Sequence, residues 1–308
     1  MKTVVPIAFA FDKSLVFPAC VCLSSLLMNA SKDTFYDVFI LHPGNDKFNH
    51  SEIDCLIEHY QNCSITYREV DGTFDNSYEI RGITTPAYYR LLIPDLIPEY
   101  DKILYSDVDV IFRSDMRHFY EENIDDYYVA GVDVGLAWRP DILQYAKDII
   151  KIDVSKGYYY SGNLLINSKK IRQDGIILCF KELAKKNFKF QDQDIINIAC
   201  NGYIKALSPE FCLTNYFYEL CNTKREQVSK VYSDEVLSQI LTSGVVHYNG
   251  AKPWKGWCFN QDIWWCYFRS SIYFTEKYCY EFYNDRIREV DNWSFGKRLK
   301  HLFRFFYF

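Results

Sequence analysis

The chain has 308 residues, 49% of them apolar and 24% charged, enough for one large or two smaller cores and too apolar for a disordered chain. Its formal charge of −5 argues against a general nucleic-acid binder. Eleven cysteines run from Cys20 to Cys279 without a CxxC pair, a pattern that suits neither a disulfide framework nor a zinc knuckle and predicts reduced, mostly buried thiols in a cytosolic protein.

The opening "MKTVVPIAFA" has one lysine, a short apolar run and a small-x-small ending, but it is too short for a signal peptide and Pro6 interrupts it. No apolar run approaches the roughly 18 to 20 residues of a membrane span, so the reading is a soluble or at most peripheral protein. "TVVPIAFAF", a helical pattern from Val16 to Met28, "YDVFIL", a second pattern from Ser51 to Tyr60, and "SITYREV" set the rhythm of βαβ units feeding a mostly parallel sheet. Ligands gather at the carboxyl ends of such strands. Asp12, after the first strand, and Asp107 with Asp109, after "KILY", fall there.

Between these lies "AYYRLLIP", a short amphipathic helix that carries Arg90 between Pro86 and Pro94. "YYVAGVD" and "YYYSGNLLIN" are two further strands, followed by helices from Ser168 to Lys186 and from Asp192 to Cys200. After Asn201 the pattern is aromatic-rich and less regular, with no linker and no internal repeat. The last stretch, "FGKRLKHLFRFFYF", carries four basic residues and no acid. On a helical wheel Phe295, Leu299, Leu302, Phe303 and Phe306 cluster opposite Lys297, Lys300, His301 and Arg304. That is the layout of an interfacial helix attracted to anionic lipid, or of a terminal helix docking on the body.

"LYSDVDVIF" places Asp107 and Asp109 two residues apart in an apolar setting. Burying unpaired carboxylates costs several kcal/mol, and two like charges raise at least one pKa. Residues i and i+2 of an extended segment point to one side, so both can offer oxygens to one hard divalent cation. The DxD pair alone is weak evidence: "DQD" at Asp192 to Asp194 is a second example, and a solvated turn is the plain alternative.

Taken in order, "FAFD" (Phe9 to Asp12), "TPAYYRLLIPDLIP" (Thr85 to Pro98), "YSDVD", "YSGNLLIN" (Tyr160 to Asn167), "QDQDIIN" and "HYNGAKPW" (His247 to Trp254) make the chain resemble glycosyltransferase family 8 over roughly residues 3 to 257. The family includes bacterial lipooligosaccharide galactosyltransferases and glycogenin. The resemblance implies a GT-A-type α/β fold with a mostly parallel central sheet flanked by helices, a catalytic domain over 1–257 and a helical extension over 258–308. It further implies metal-dependent, retaining transfer of galactose or glucose from UDP-galactose or UDP-glucose to a glycan or glycolipid acceptor, on the cytoplasmic side of the inner membrane.

By the same resemblance Asp107, Asp109 and His247 hold Mn2+, with Mg2+ as the other ion these oxygens accept. Ala10, Asp12, Arg90, Asp107, Val108, Asp133, Gly250 and Lys252 bind the nucleotide sugar, Asp192 binds sugar hydroxyls, and Gln193 lies beneath the anomeric carbon. Each has a plainer alternative: Asp12 as a helix N-cap, Arg90 as a surface partner of Asp95, His247 as a structural histidine, Asp192 as first-turn acid facing a helix dipole. Two departures stand out. One residue, Ala251, separates Gly250 from Lys252 where the family usually has two, which makes Lys255 an alternative contact to the diphosphate. Tyr160 stands where the family often has a sugar-contacting asparagine, and Asn163 cannot replace it without a bend because strand side chains alternate faces. Competing readings are a self-glucosylating enzyme, encouraged by 26 tyrosines, and a non-catalytic UDP-sugar binder.

Overall fold

A computed structural model describes residues 2–44, 49–74, 77–79 and 84–306. The side chains of His301, Arg304 and Phe306, which the helical wheel assigned to faces, lie outside the described residues. The chain forms two compact units, Met1–Asn249 and Gly250–Phe308.

The first unit is built on a seven-stranded sheet. Its strands are β1 (Thr3–Ala10), β2 (Thr34–Pro43), β3 (Cys63–Val70), β4 (Ile103–Ser106), β6 (Val129–Gly131), β7 (Asn163–Ile166) and β8 (Ile204–Ala206), in the order β3-β2-β1-β4-β7-β6-β8. Neighbours run parallel except at β7, which is antiparallel to both β4 and β6. Val5, Ile7, Ala8 and Phe9 are fully buried, as expected of a parallel strand covered on both faces. Pro6 fits because β4 begins pairing with β1 one residue later, at Ile7, so the missing N–H interrupts no bond to β4.

The helix Val16–Met28 packs against this sheet with eleven of its thirteen residues buried. The helix expected from Ser168 to Lys186 is two, Ser168–Gln173 and Ile176–Leu183. Gly175, at φ 68°, separates them: a left-handed residue ends one helix and redirects the chain into the next, and glycine takes that conformation without a Cβ clash.

A second, small sheet orders β5 (Val110–Ile111), β10 (Val246–His247) and β9 (Leu213–Thr214). β10 pairs antiparallel with β5, His247 opposite Val110, and parallel with β9, His247 opposite Thr214. Three two-residue strands from distant parts of the sequence thus meet beside the end of β4.

The second unit holds the helices Gln261–Ser270, Glu276–Asp291 and Phe295–Phe306. Aromatic contacts build its interior, with Trp265 and Phe282 ring centroids 4.5 Å apart. Trp265 Nε1 donates to Pro253 O at 3.2 Å, which ties the "KPW" turn to the first of these helices. In the last helix Phe295, Leu299, Leu302 and Phe303 are exposed. No helix among the described residues is long and apolar enough to cross a membrane. All eleven cysteines are free, and six are buried.

Candidate functional site

The sheet topology decides what meets at its carboxyl edge. β1 and β4 are parallel neighbours and end there, delivering Asp12 and Asp107. β7 runs the other way, so its beginning reaches the same edge and brings Ser161 and Gly162 against Asp107. Asp107 N donates to Gly162 O at 2.7 Å.

Asp107, Asp109 and His247 offer one ligand atom each within 4.8 Å of one another. His247 Nε2 lies 3.2 Å from Asp109 Oδ1 and 3.7 Å from Asp107 Oδ2. The other oxygen of Asp107, Oδ1, accepts from Arg90 Nη2 and from Tyr105 Oη, both at 2.8 Å. One oxygen is thereby fixed and the other faces the cluster. Gly162 lines the space: a Cβ there would sit 2.8 Å from Asp107 Oδ2 and 2.9 Å from His247 Nδ1. Glycine keeps that volume open.

Arg90 is buried rather than paired with Asp95 at the surface. Its guanidinium donates from Nη1 to Ser161 O at 2.6 Å and from Nε to Ala87 O at 2.8 Å, and it stacks 4.4 Å from the Tyr105 ring centroid. Arg90 Nε also lies 3.2 Å from Asp192 Oδ2, but its single hydrogen goes to Ala87. Asp192 is 5% exposed, and its Oδ2 has charge nearby with no hydrogen bond. Burial pushes the Asp192 carboxyl up to about 6, against the pull of Arg90. Burial would lower the His247 pKa, but the Asp109 carboxylate more than reverses this and holds it well above the ordinary histidine value.

The helix Gln191–Ala199 positions Asp192 and Gln193 in its first turn. Asp194, fully buried, anchors it by accepting from Tyr158 Oη (2.5 Å), Tyr145 Oη (2.6 Å) and Phe190 N (2.8 Å). Asn197 brackets Tyr159, accepting from its N and donating to its O, each at 2.8 Å. Within "QDQDIIN", then, the second acid, Asp194, and the asparagine form a clamp that fixes the turn carrying Asp192 and Gln193. Sequence reasoning gave Asp194 and Asn197 no role, although their place in the motif was visible.

The remaining expected residues fall as follows. Asp12 caps the 3-10 turn Lys13–Leu15 by accepting from Ser14 N at 2.9 Å, so its capping role is present. Ala10 and Val108 are buried at the ends of β1 and β4. Asp133 accepts from Gly135 N at 2.6 Å and Tyr158 N at 3.2 Å. It lines a small pocket with Tyr160, Cys212, Thr214, Tyr216 and Trp138. Tyr160 faces this pocket, its hydroxyl accepting from Thr214 Oγ1 at 3.4 Å. Asn163 is fully buried and accepts from Ser106 Oγ at 2.6 Å, so it does not take over position 160. Gly250 and Lys252 belong to the second unit, where Lys252 O accepts from Lys255 N and Gly256 N.

The glycosyl transferase family 8 model matches residues 6–258, and the chain belongs to that family. The Escherichia coli lipopolysaccharide glucosyltransferase WaaO is 23% identical, over 83% of this chain and 74% of its own. General stress protein A of Bacillus subtilis is 25% identical, over 75% and 80%. A glycosyltransferase-like protein of Haemophilus influenzae is 28% identical over 68% of this chain, which spans 63% of that protein. The solved galactosyltransferase LgtC, in complex with donor and acceptor sugar analogs, superposes with TM-score 0.71 at 23% identity, over 89% of this chain and 99% of its own. The likeness to LgtC shows the GT-A fold.

Proposed function

We propose that the chain transfers a hexose, galactose or glucose, from a UDP-sugar to a hydroxyl of a cell-surface glycan or lipooligosaccharide acceptor, with a divalent ion and with retention at the anomeric carbon. The observation that carries this reading is the convergence of Asp107, Asp109 and His247 beside buried Arg90 and Asp192. The lipopolysaccharide glucosyltransferase among the relatives supports the substrate class.

The residues fit such an ion. Two carboxylate oxygens and an imidazole nitrogen suit Mn2+ well and Mg2+ less well, and the missing side chain at Gly162 leaves their meeting point clear. When bound, the ion supplies positive charge against the departing diphosphate.

The chain's own residues do the rest. Arg90 pins one oxygen of Asp107 and keeps the buried site from being purely acidic. Ala10, Asp12, Val108 and Asp133 hold the donor at the strand ends. Asp192 receives sugar hydroxyls on the oxygen that lacks a hydrogen bond. Gln193, one position on, stabilises the cationic sugar electrostatically. Gly250 and Lys252, or Lys255 in its place, offer backbone access and a cation to the leaving phosphates. A front-face path, in which the leaving phosphate oxygen takes the acceptor proton, needs no carboxylate nucleophile; a glycosylated Asp192 or Gln193 trapped during turnover would overturn it. The reaction is placed on the cytoplasmic side of the inner membrane, with the last helix on an anionic lipid surface.

The test is UDP release from UDP-glucose and UDP-galactose with Mn2+, with and without glycan acceptors, and again after EDTA. Release that needs the ion and favours one sugar is expected. No release from either donor under any condition would sink the reading.

A further inference from the structure

We propose that Cys212 is a positioning residue for His247: its sulfur accepts the hydrogen on Nδ1 and so keeps Nε2 turned toward the two aspartates. The inference rests on the metal reading above and concerns a residue that plays no part in it.

The two ring nitrogens face different partners. Nε2 lies 3.2 Å from Asp109 Oδ1 and 3.7 Å from Asp107 Oδ2. Nδ1 lies 3.5 Å from Cys212 Sγ, its one hydrogen-bond partner among the described residues. An imidazole that gives its Nε2 lone pair to an ion carries its hydrogen on Nδ1, and the acceptor of that hydrogen sets the ring's orientation. His247 is 6% exposed and Cys212 1%, so water is a poor substitute. At 3.5 Å the separation suits the larger sulfur; a serine oxygen keeps the bond by drawing the ring closer, to within about 3.2 Å.

The backbone holds the pair in register. Cys212 immediately precedes β9, whose Leu213 and Thr214 lie opposite Val246 and His247, and Leu213 N donates to Val245 O at 2.7 Å. Cys212 also lines the pocket shared with Asp133, Tyr160 and Thr214. One thiol therefore touches both the back of the ligand and the wall of the neighbouring cavity. The competing account is that Cys212 is a small apolar filler.

The experiment is Mn2+ binding to the full chain without nucleotide, followed by electron paramagnetic resonance of the free ion, for wild type, Asp109→Ala, Cys212→Ser and Cys212→Val, with melting temperatures alongside. Serine keeps an acceptor; valine keeps volume and loses it. Cys212→Ser is expected within about threefold of wild type and Cys212→Val about tenfold weaker at a similar melting temperature. Cys212→Ala supplies the same comparison where valine prevents folding. Valine binding like wild type, or serine as weak as valine, overturns the proposal. A wild type that binds no Mn2+, or no better than Asp109→Ala, overturns the metal reading itself, and shows this without any Cys212 variant.

Discussion

Gly162 stands directly against His247: a Cβ at position 162 would fall 2.9 Å from the ring nitrogen Nδ1 and 2.8 Å from Asp107 Oδ2. Neither neighbour has room to yield, since His247 is packed between β5 and β9 and Asp107 is held by Arg90 and Tyr105. Gly162→Ala is expected to cost about 1–3 kcal/mol of stability through overpacking and to weaken Mn2+ binding at least tenfold. Chemical denaturation and ion titration measure the two separately.

Asp109→Ala removes the carboxylate nearest His247 and should lower kcat/KM for UDP-hexose more than tenfold, a loss above about 1.4 kcal/mol. The fold should survive, because Asp109 lies in the bend between β4 and β5 rather than within either strand. A variant with more than a tenth of wild-type kcat/KM would show that Asp109 is not a ligand.

Arg90→Lys keeps the charge and loses the fork. A single ammonium cannot reproduce the separate bonds to Ala87 O, Ser161 O and Asp107 Oδ1. A stability loss of about 3 kcal/mol is expected, in the range for disrupting a buried pair, with a raised donor KM. Thermal melting and donor titration would show whether lysine suffices.

Asp192 links stability to pH. Its carboxyl, ordinarily 3.8, stands at about 6 in the fold, so the stability of its neutral form is present below about pH 4 and is lost as pH rises through 6. The gap corresponds to about 3 kcal/mol. Asp192→Asn, neutral throughout, should therefore melt higher than the ion-free wild type at pH 7.5, by roughly 5 °C or more. The difference should close near pH 4. Donor turnover by the variant should be lost, so that stability and activity move in opposite directions.

The helix Phe295–Phe306 exposes Phe295, Leu299, Leu302 and Phe303 in a segment with four basic residues and no acid. Removing residues 295–308 should abolish sedimentation with vesicles containing anionic lipid and leave soluble-substrate turnover unchanged. Equal sedimentation of the truncated and full chains would exclude a lipid-binding role for this helix.

Much of this was legible in the sequence. The apolar strands β1, β2 and β4 and the helices Val16–Met28 and Ser51–Tyr60 announce themselves by periodicity, and Asp107, Asp109 and His247 by the motifs that hold them. What escaped has physical reasons. β5, β9 and β10 have two residues each, too few for any period, and their pairing depends on contacts remote in sequence. The helical pattern from Ser168 runs unbroken through Gly175 because a glycine's sign of φ is not written in its neighbours. The reversal of β7, which explains why "YSGN" reaches the site by its front end, is a property of the sheet. Cys212 reads as one buried thiol among several until the ring of His247 is seen beside it.

The ribbon β5-β10-β9 also gives the site a timetable. During synthesis the parallel strands and both acids emerge long before His247, so an incomplete chain holds half of a grip with the far jaw still inside the ribosome. The cluster of Asp107, Asp109 and His247 is thus completed only at the close of translation of the first unit, when the polypeptide has folded back on its own beginning.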